Sequence, residues 1–458
     1  MRVEITLNLN FSKLNMKNRL VFLAFLLVLA STGSISAQTN KINFEEYDMD
    51  NGLHVILHQD QSTPIVTVSV MYHVGSKNEN PERTGFAHFF EHLMFEGTEN
   101  IPRGEYSNYV ERAGGTLNAN TSNDRTYYYE IMPSNQLEMG LWLESERMLH
   151  AKVDSIGIQT QKQVVIEEKK QTVDSRPYGT LLQETMKRAF KKHPYRWTVI
   201  GDPDHIRAAK DEEFQAFYKE YYVPNNAVLV IAGDIEINQT KDLINKYFAE
   251  IPKGNQEIYR PTIVEPALNG EVRDTIYDNI QLPLIVQAYR TPAMGTKDYY
   301  ALEMLSQLLS GGKSSRLYKA LVDEQQKALE ANSFSLPFHH PSVALAYALP
   351  NMGVDCADLE AAMDTEVAKV RDELITEREF QKLRNQFENS FVKSNIKLAS
   401  RAENLATNYT YFGNTNLINT ELENYLAVTR EDIKRVANKY FVENNRVVLY
   451  YLPKSEQN

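Results

Sequence analysis

From Glu45 to Leu57, and again from Ile65 to Val74, apolar and polar residues alternate on either side of the turn-forming stretch Gln59-Asp-Gln-Ser-Thr-Pro64. That pattern predicts an antiparallel pair of strands. Further along, apolar residues recur at helical spacing over about 84–97, 135–150, 156–174 and 203–221, which predicts four long helices. The run Tyr127-Tyr-Tyr129 reads as alternating strand residues. Strands mixed with runs of helices, without regular alternation of the two, place the chain in the α+β class.

One segment returns. Tyr221-Tyr-Val-Pro-Asn-Asn-Ala-Val-Leu-Val230 resembles Tyr440-Phe-Val-Glu-Asn-Asn-Arg-Val-Val-Leu449, each after an amphipathic helical stretch. The Asn-Asn pair is a turn signal, and the apolar run after it reads as a buried strand. The offset of about 219 residues marks duplication of a whole domain, since solenoid periods are roughly 20 to 50. A polar stretch containing Pro252, Gly254 and Pro261 lies between the copies. The expected organisation is a first domain over 38–255, a linker over 256–270 and a second domain over 271–458.

Lys17 and Arg19 precede the apolar run Leu20 to Ala30, and small residues follow up to Ala37. This is the order of a secretory signal over 1–37, with the start at Met1 or Met16 and the cut before Gln38. The apolar run is too short to span a bilayer, and no later segment approaches the roughly 20 residues a span needs. The expectation is an exported, periplasmic or extracellular protein without a membrane span in its mature form. At 458 residues, 42% hydrophobic and 24% charged, the chain is an ordinary globular one. Its net charge of -11, without a basic stripe, argues against nucleic acid as a partner. The single cysteine, Cys356, excludes an internal disulfide and reads as a buried small hydrophobe.

The chemistry concentrates in His88-Phe-Phe-Glu-His92, within a stretch free of Gly and Pro after Gly85. On a helix His88 and His92 lie one turn apart on one face, so two imidazoles can converge on a cation. Glu91 shares that face and can serve as a general base. Two imidazoles suit zinc, and a catalytic zinc takes a third protein ligand and leaves one position open. Gln161-Lys-Gln-Val-Val-Ile-Glu-Glu-Lys-Lys-Gln171 offers carboxylates for that role. His339-His340, before Pro341, has no second ligand pair and reads as a loop.

With these residues the chain resembles the inverzincin metallopeptidases, the family of pitrilysin, insulin-degrading enzyme and the mitochondrial processing peptidase. Further matches are Gly114-Gly-Thr-Leu-Asn-Ala119, Thr121-Ser122, His193-Pro-Tyr-Arg196 and Gly311-Gly-Lys-Ser-Ser-Arg-Leu-Tyr318, so the resemblance covers nearly all of the mature chain. It implies one Zn2+ held by His88, His92 and Glu168, with Glu167 beside the ligand and Glu91 as catalytic base. It also implies two α+β domains of processing-peptidase type facing one another around a chamber, with substrate peptide held as an added strand at Asn118 and Ala119.

Two departures qualify this picture. Gln161 stands where many active relatives carry a second glutamate seven residues before the ligand. Val322 and Leu329 stand where self-sufficient relatives carry an Arg and a Tyr that reach the substrate carbonyl, and neither side chain can donate a hydrogen bond. The expected function is therefore a zinc endopeptidase acting on unstructured peptides or precursor segments, as the catalytic subunit of a pair whose zinc-less homologous partner supplies Arg and Tyr. The alternative is a non-catalytic scaffold subunit or a peptide-binding protein of the same fold.

Overall fold

The computed structural model describes residues 41–456, so the expected export signal lies outside the described residues. The first half runs β1 (Glu45–Asp48), β2 (His54–Gln59), β3 (Ile65–Tyr72), α1 (Phe86–Leu93), α2 (Tyr106–Arg112), β4 (Thr116–Thr121), β5 (Thr126–Pro133), α3 (Leu137–His150), α4 (Ser155–Lys169), α5 (Leu181–Ala189), α6 (Pro203–Ala208), α7 (Asp211–Tyr221), β6 (Ala227–Gly233) and α8 (Ile237–Phe248). Residues 249–271 form no helix or strand. The second half continues with β7 (Val272–Asp278), β8 (Leu284–Thr291), α9 (Lys297–Ser310), β9 (Ala328–Leu336), β10 (Ser342–Pro350), α10 (Cys356–Asp372), α11 (Glu377–Ser394), α12 (Leu398–Phe412), α13 (Leu417–Leu426), α14 (Arg430–Tyr440) and β11 (Arg446–Pro453).

The alternation over Glu45–Leu57 and Ile65–Val74 does not make a hairpin. β1 folds back on β2, and β6 inserts between β2 and β3, giving the order β1-β2-β6-β3-β5-β4. β6 runs parallel to β2 and antiparallel to β3. Every residue of β6 is buried, so it takes the central place in the sheet. The second sheet, β7-β11-β8-β10-β9, repeats the first strand for strand apart from β1, and β11 is parallel to β7 as β6 is to β2. The duplicated asparagines do the same work in both copies: the Asn226 and Asn445 amides donate to the carbonyls of Tyr221 and Tyr440, each at 2.8 Å.

The helix predicted over 203–221 breaks after Ala208. Ala209 is extended, and its carbonyl accepts from Lys162 Nζ at 2.6 Å, while Glu213 accepts the Lys210 N–H at 2.8 Å and restarts the helix. The segment 156–174 is α-helical to Lys169 and continues as a π-helical turn, Lys170–Asp174. His339 and His340 do lie on a loop, between β9 and β10. Cys356 is half-buried and not fully buried, because it is the first residue of α10.

The two halves exchange helices. α12 packs on β3 and β6 of the first sheet, and α5 packs on β8 and β11 of the second. On the first sheet the His54 and Tyr409 rings stack at 3.3 Å, and Arg401 pairs with Asp60. On the second, Met186, Ala189 and Phe190 join the core formed by Val286, Ala288 and Leu449. The connecting segment is itself built in: Glu265 accepts the backbone N–H groups of Lys191, Lys192 and His193 and pairs with Arg290. Among the described residues no helix is long and apolar enough to cross a membrane.

Candidate metal centre

The centre is built on α1, whose phenylalanines face the core while its histidines and Glu91 face α4 and β4. Phe86 stacks on Phe214, Phe89 packs tilted against the same ring, and Phe90 stacks on Phe217 of α7. The helix starts at Gly85, which sits at φ 95° and presses against Gly201, where a Cβ would come within 2.3 Å of Gly85 N. Gly85 has no side chain to cap the helix. Glu79 does so instead, accepting the Gly85 and Ala87 N–H groups at 2.9 Å each. Burial pushes the Glu79 carboxyl up to about 8 despite these bonds.

His88 and His92 bring their Nε2 atoms to 3.3 Å of each other. Glu168, from the next-to-last residue of α4, brings Oε2 to 3.1 Å from His92 Nε2 and 3.6 Å from His88 Nε2. This is the one group of three potential ligand side chains among the described residues whose donor atoms converge so closely. Glu168 Oε2 is buried yet has no hydrogen-bond partner among the described residues. Burial, and then the neighbouring His92, lowers the His88 pKa to about 4, so its ring is neutral near neutral pH and free to donate a lone pair. Two imidazoles and a buried, unpartnered carboxylate oxygen fit a zinc ion with one position left open.

Glu91 points from the same helix face to β4, where Thr121 Oγ1 donates to its Oε2 at 2.6 Å. Burial raises the Glu91 pKa, and the Thr121 bond opposes that rise. Asn118 and Ala119 lie on β4, the edge strand of the six-stranded sheet. The Ala119 N–H donates to Asn118 Oδ1 at 2.9 Å.

Glu167, expected beside the ligand, faces solvent and bonds Gln171 and Lys170 instead. Successive helical residues differ by about 100° in direction, so Glu168 and its neighbour cannot both face the centre. Gln161 is half-buried, and its Nε2 donates to Glu96 at 2.6 Å. Val322 sits in the π-helical turn Tyr318–Glu324 against the second core, and Leu329 is half-exposed on β9. Glu79, Glu96 and the role of Thr121 escape a reading of the sequence, because each acts on α1 or α4 from outside that helix. Thr121 alone left a trace, as a matched residue without an assigned role.

The family model described as Insulinase (Peptidase family M16) matches residues 54–202, and the model described as Peptidase M16 inactive domain matches 209–387. The zinc protease PqqE of Helicobacter pylori is 31% identical over 438 residues, covering 95% of this chain and 98% of that one. A probable mitochondrial-processing peptidase subunit beta of Arabidopsis thaliana is 25% identical, over 87% of this chain and 76% of its own length. Among solved structures, a protease from Helicobacter pylori superimposes with a TM-score of 0.86 at 29% identity, over 90% of this chain and all of that one. The Pseudomonas fluorescens peptidase M16 inactive domain shares the fold at 18% identity and a TM-score of 0.80, over 90% and 98%. With two such models matching parts of both halves and a 31% identical relative matched along nearly its whole length, the chain belongs to the insulinase family, peptidase family M16.

Proposed function

We propose that this chain is an exported zinc endopeptidase that hydrolyses unstructured peptides or precursor segments, with His88, His92 and Glu168 as the metal ligands and Glu91 as the general base. The observation that carries the reading is the convergence of those three side chains beside a Glu91 already held by Thr121. Zinc, when bound, supplies a Lewis acid that polarises the peptide carbonyl and acidifies water. The remaining chemistry is this chain's own. Glu91 takes the proton from the attacking water and delivers it to the leaving amide nitrogen, and the raised proton affinity that burial gives it suits both transfers. An extended peptide adds to β4 and takes over the Ala119 N–H from Asn118, so main-chain bonds carry much of the binding and sequence tolerance is broad.

Val322 and Leu329 offer no donor toward a developing oxyanion, and one such donor can contribute about 3 to 4 kcal/mol to the transition state. The reading therefore includes a homologous, zinc-less partner that supplies an Arg and a Tyr. The similarity to a processing-peptidase subunit, a protein named as one subunit among others, supports this.

The test is cleavage of a quenched, unstructured peptide by the purified zinc-loaded chain, with Glu91→Gln as control. Zinc bound at one equivalent with weak or no cleavage, rising when the partner is added and abolished by the substitution, is the expected result. Full activity of the chain alone overturns the partner. Failure to bind zinc overturns the whole reading.

A further inference from the structure

Glu168 is placed by the angle and rotation of α4 against α1, and one side chain ties the two helices at two points. Glu96, four positions beyond His92, is nearly buried, with a side chain 10% exposed. Its Oε1 accepts from Gln161 Nε2 at 2.6 Å, midway along α4. Its Oε2 accepts from Arg103 Nη1. Arg103 in turn donates through Nη2 to both carboxylate oxygens of Asp154, at 2.8 and 3.1 Å. Asp154 is the N-cap of α4 and accepts the Gly157 N–H at 2.9 Å. The carboxylate three residues beyond the zinc-motif helix thus holds both the start of α4 and the residue seven positions before Glu168, which is two turns away on the same face.

We infer that Glu96 is a positioning residue for the metal centre, with Gln161 as its matched partner, and that this pair sets where Glu168 meets His88 and His92. The inference rests on the zinc reading above. The pairing also explains why position 161 holds an amide. A glutamate there would bring a second carboxylate to the 2.6 Å contact with Glu96, and two carboxylates so close cannot both be ionised. Gln161 donates where a glutamate would repel. The contact is distinct from the chemistry, since neither side chain is among the three that converge as ligands.

The test compares Glu96→Gln, Gln161→Glu and the double exchange Glu96→Gln with Gln161→Glu, reading zinc affinity by chelator competition and melting temperature of the zinc-free chain. Each single change is expected to weaken zinc binding about 10- to 100-fold, the range typical of residues that orient metal ligands. The double exchange restores one carboxylate against one amide and is expected to return affinity to within a few-fold of the parent. If a single variant does not fold, the double exchange still decides: affinity far below the parent overturns the pairing. Unchanged zinc affinity in a folded single variant also overturns it, as does a fall in melting temperature with affinity intact, which a merely structural contact would give. A parent chain that binds no zinc refutes the function proposed above instead, and is read before any variant is made.

Discussion

Thr121 Oγ1 lies 2.6 Å from Glu91 Oε2, and this single bond joins the edge strand that would hold a peptide to the carboxylate that would move its protons. A hydrogen bond to a charged group is worth about 1.5 to 3 kcal/mol. Thr121→Val keeps the shape and removes the donor, so turnover of a quenched peptide is expected to fall about 10-fold or more, with zinc stoichiometry unchanged. Thr121→Ser keeps the hydroxyl and should retain most of the activity. Steady-state kcat and KM on the two variants, each assayed with the partner present, check this, and a Val variant as fast as the parent would mean Glu91 needs no such orientation.

Glu79 caps α1 from six residues upstream of its first N–H contact, through two bonds to backbone groups, each at 2.9 Å. Glu79→Ala leaves both N–H groups buried and unsatisfied, at about 1 to 3 kcal/mol each. The melting temperature of the zinc-free chain should drop by several degrees. Glu79→Gln retains one acceptor oxygen and should lose roughly half as much. Thermal unfolding of the two variants separates these, and equal losses would show that one acceptor oxygen alone does not hold the helix start.

The residues that form the centre were legible in the sequence, Glu168 only through the family resemblance, and the contacts that tie one element to another were not. His88, Glu91 and His92 declare their geometry through spacing on a single helix. The duplication was legible through Asn226 and Asn445, because each closes a local turn. The position of β6 was not, since strand order depends on a segment that arrives long after β2 and β3 have been read. Glu96 and Gln161 are 65 positions apart, and nothing in either neighbourhood announces the contact. Glu167 misled for a simpler reason: adjacency in sequence is not adjacency on a helix face.

A seam of histidines joins the halves and should make the fold sensitive to acid. His73 and His193 of the first half lie near His339 and His340 of the second, around the buried Lys77–Asp124 pair at 2.8 Å. Burial is the main cause that lowers His193 to about 4 and His73 to about 2. Lys77 and His340 lower both further, and Arg260 and His339 add to this at His73. Asp124 and Glu265 oppose the shift at His193. A histidine whose folded pKa is depressed contributes stability that is present above its unfolded value near 6.5 and is lost as pH falls toward the folded value. Stability should therefore decline from about pH 6.5 down to about 4 through His193, and further through His73. His193→Gln keeps a hydrogen-bond acceptor and removes the titration. Denaturant unfolding at a series of pH values should show a shallower acid slope in that variant, and an unchanged slope would place the sensitivity elsewhere.

The exchange of α5 and α12 makes each sheet depend on the opposite half of the chain. Without α12, the first sheet would expose the face of β3 and β6 on which that helix packs, and Arg401 would leave Asp60. Without α5, the second would expose Val286, Ala288 and Leu449. Apolar surface returned to water costs about 25 cal/mol per Å², so losing a packed helix removes several kcal/mol from a domain whose whole margin is about 5 to 15. A chain cut within 256–264, ahead of the Glu265 contacts, should therefore stay assembled when both pieces are made together. Either piece made alone should lack cooperative unfolding. Co-expression with a single affinity tag, followed by circular dichroism of each piece, distinguishes this from two independent domains, each of which would melt cooperatively on its own.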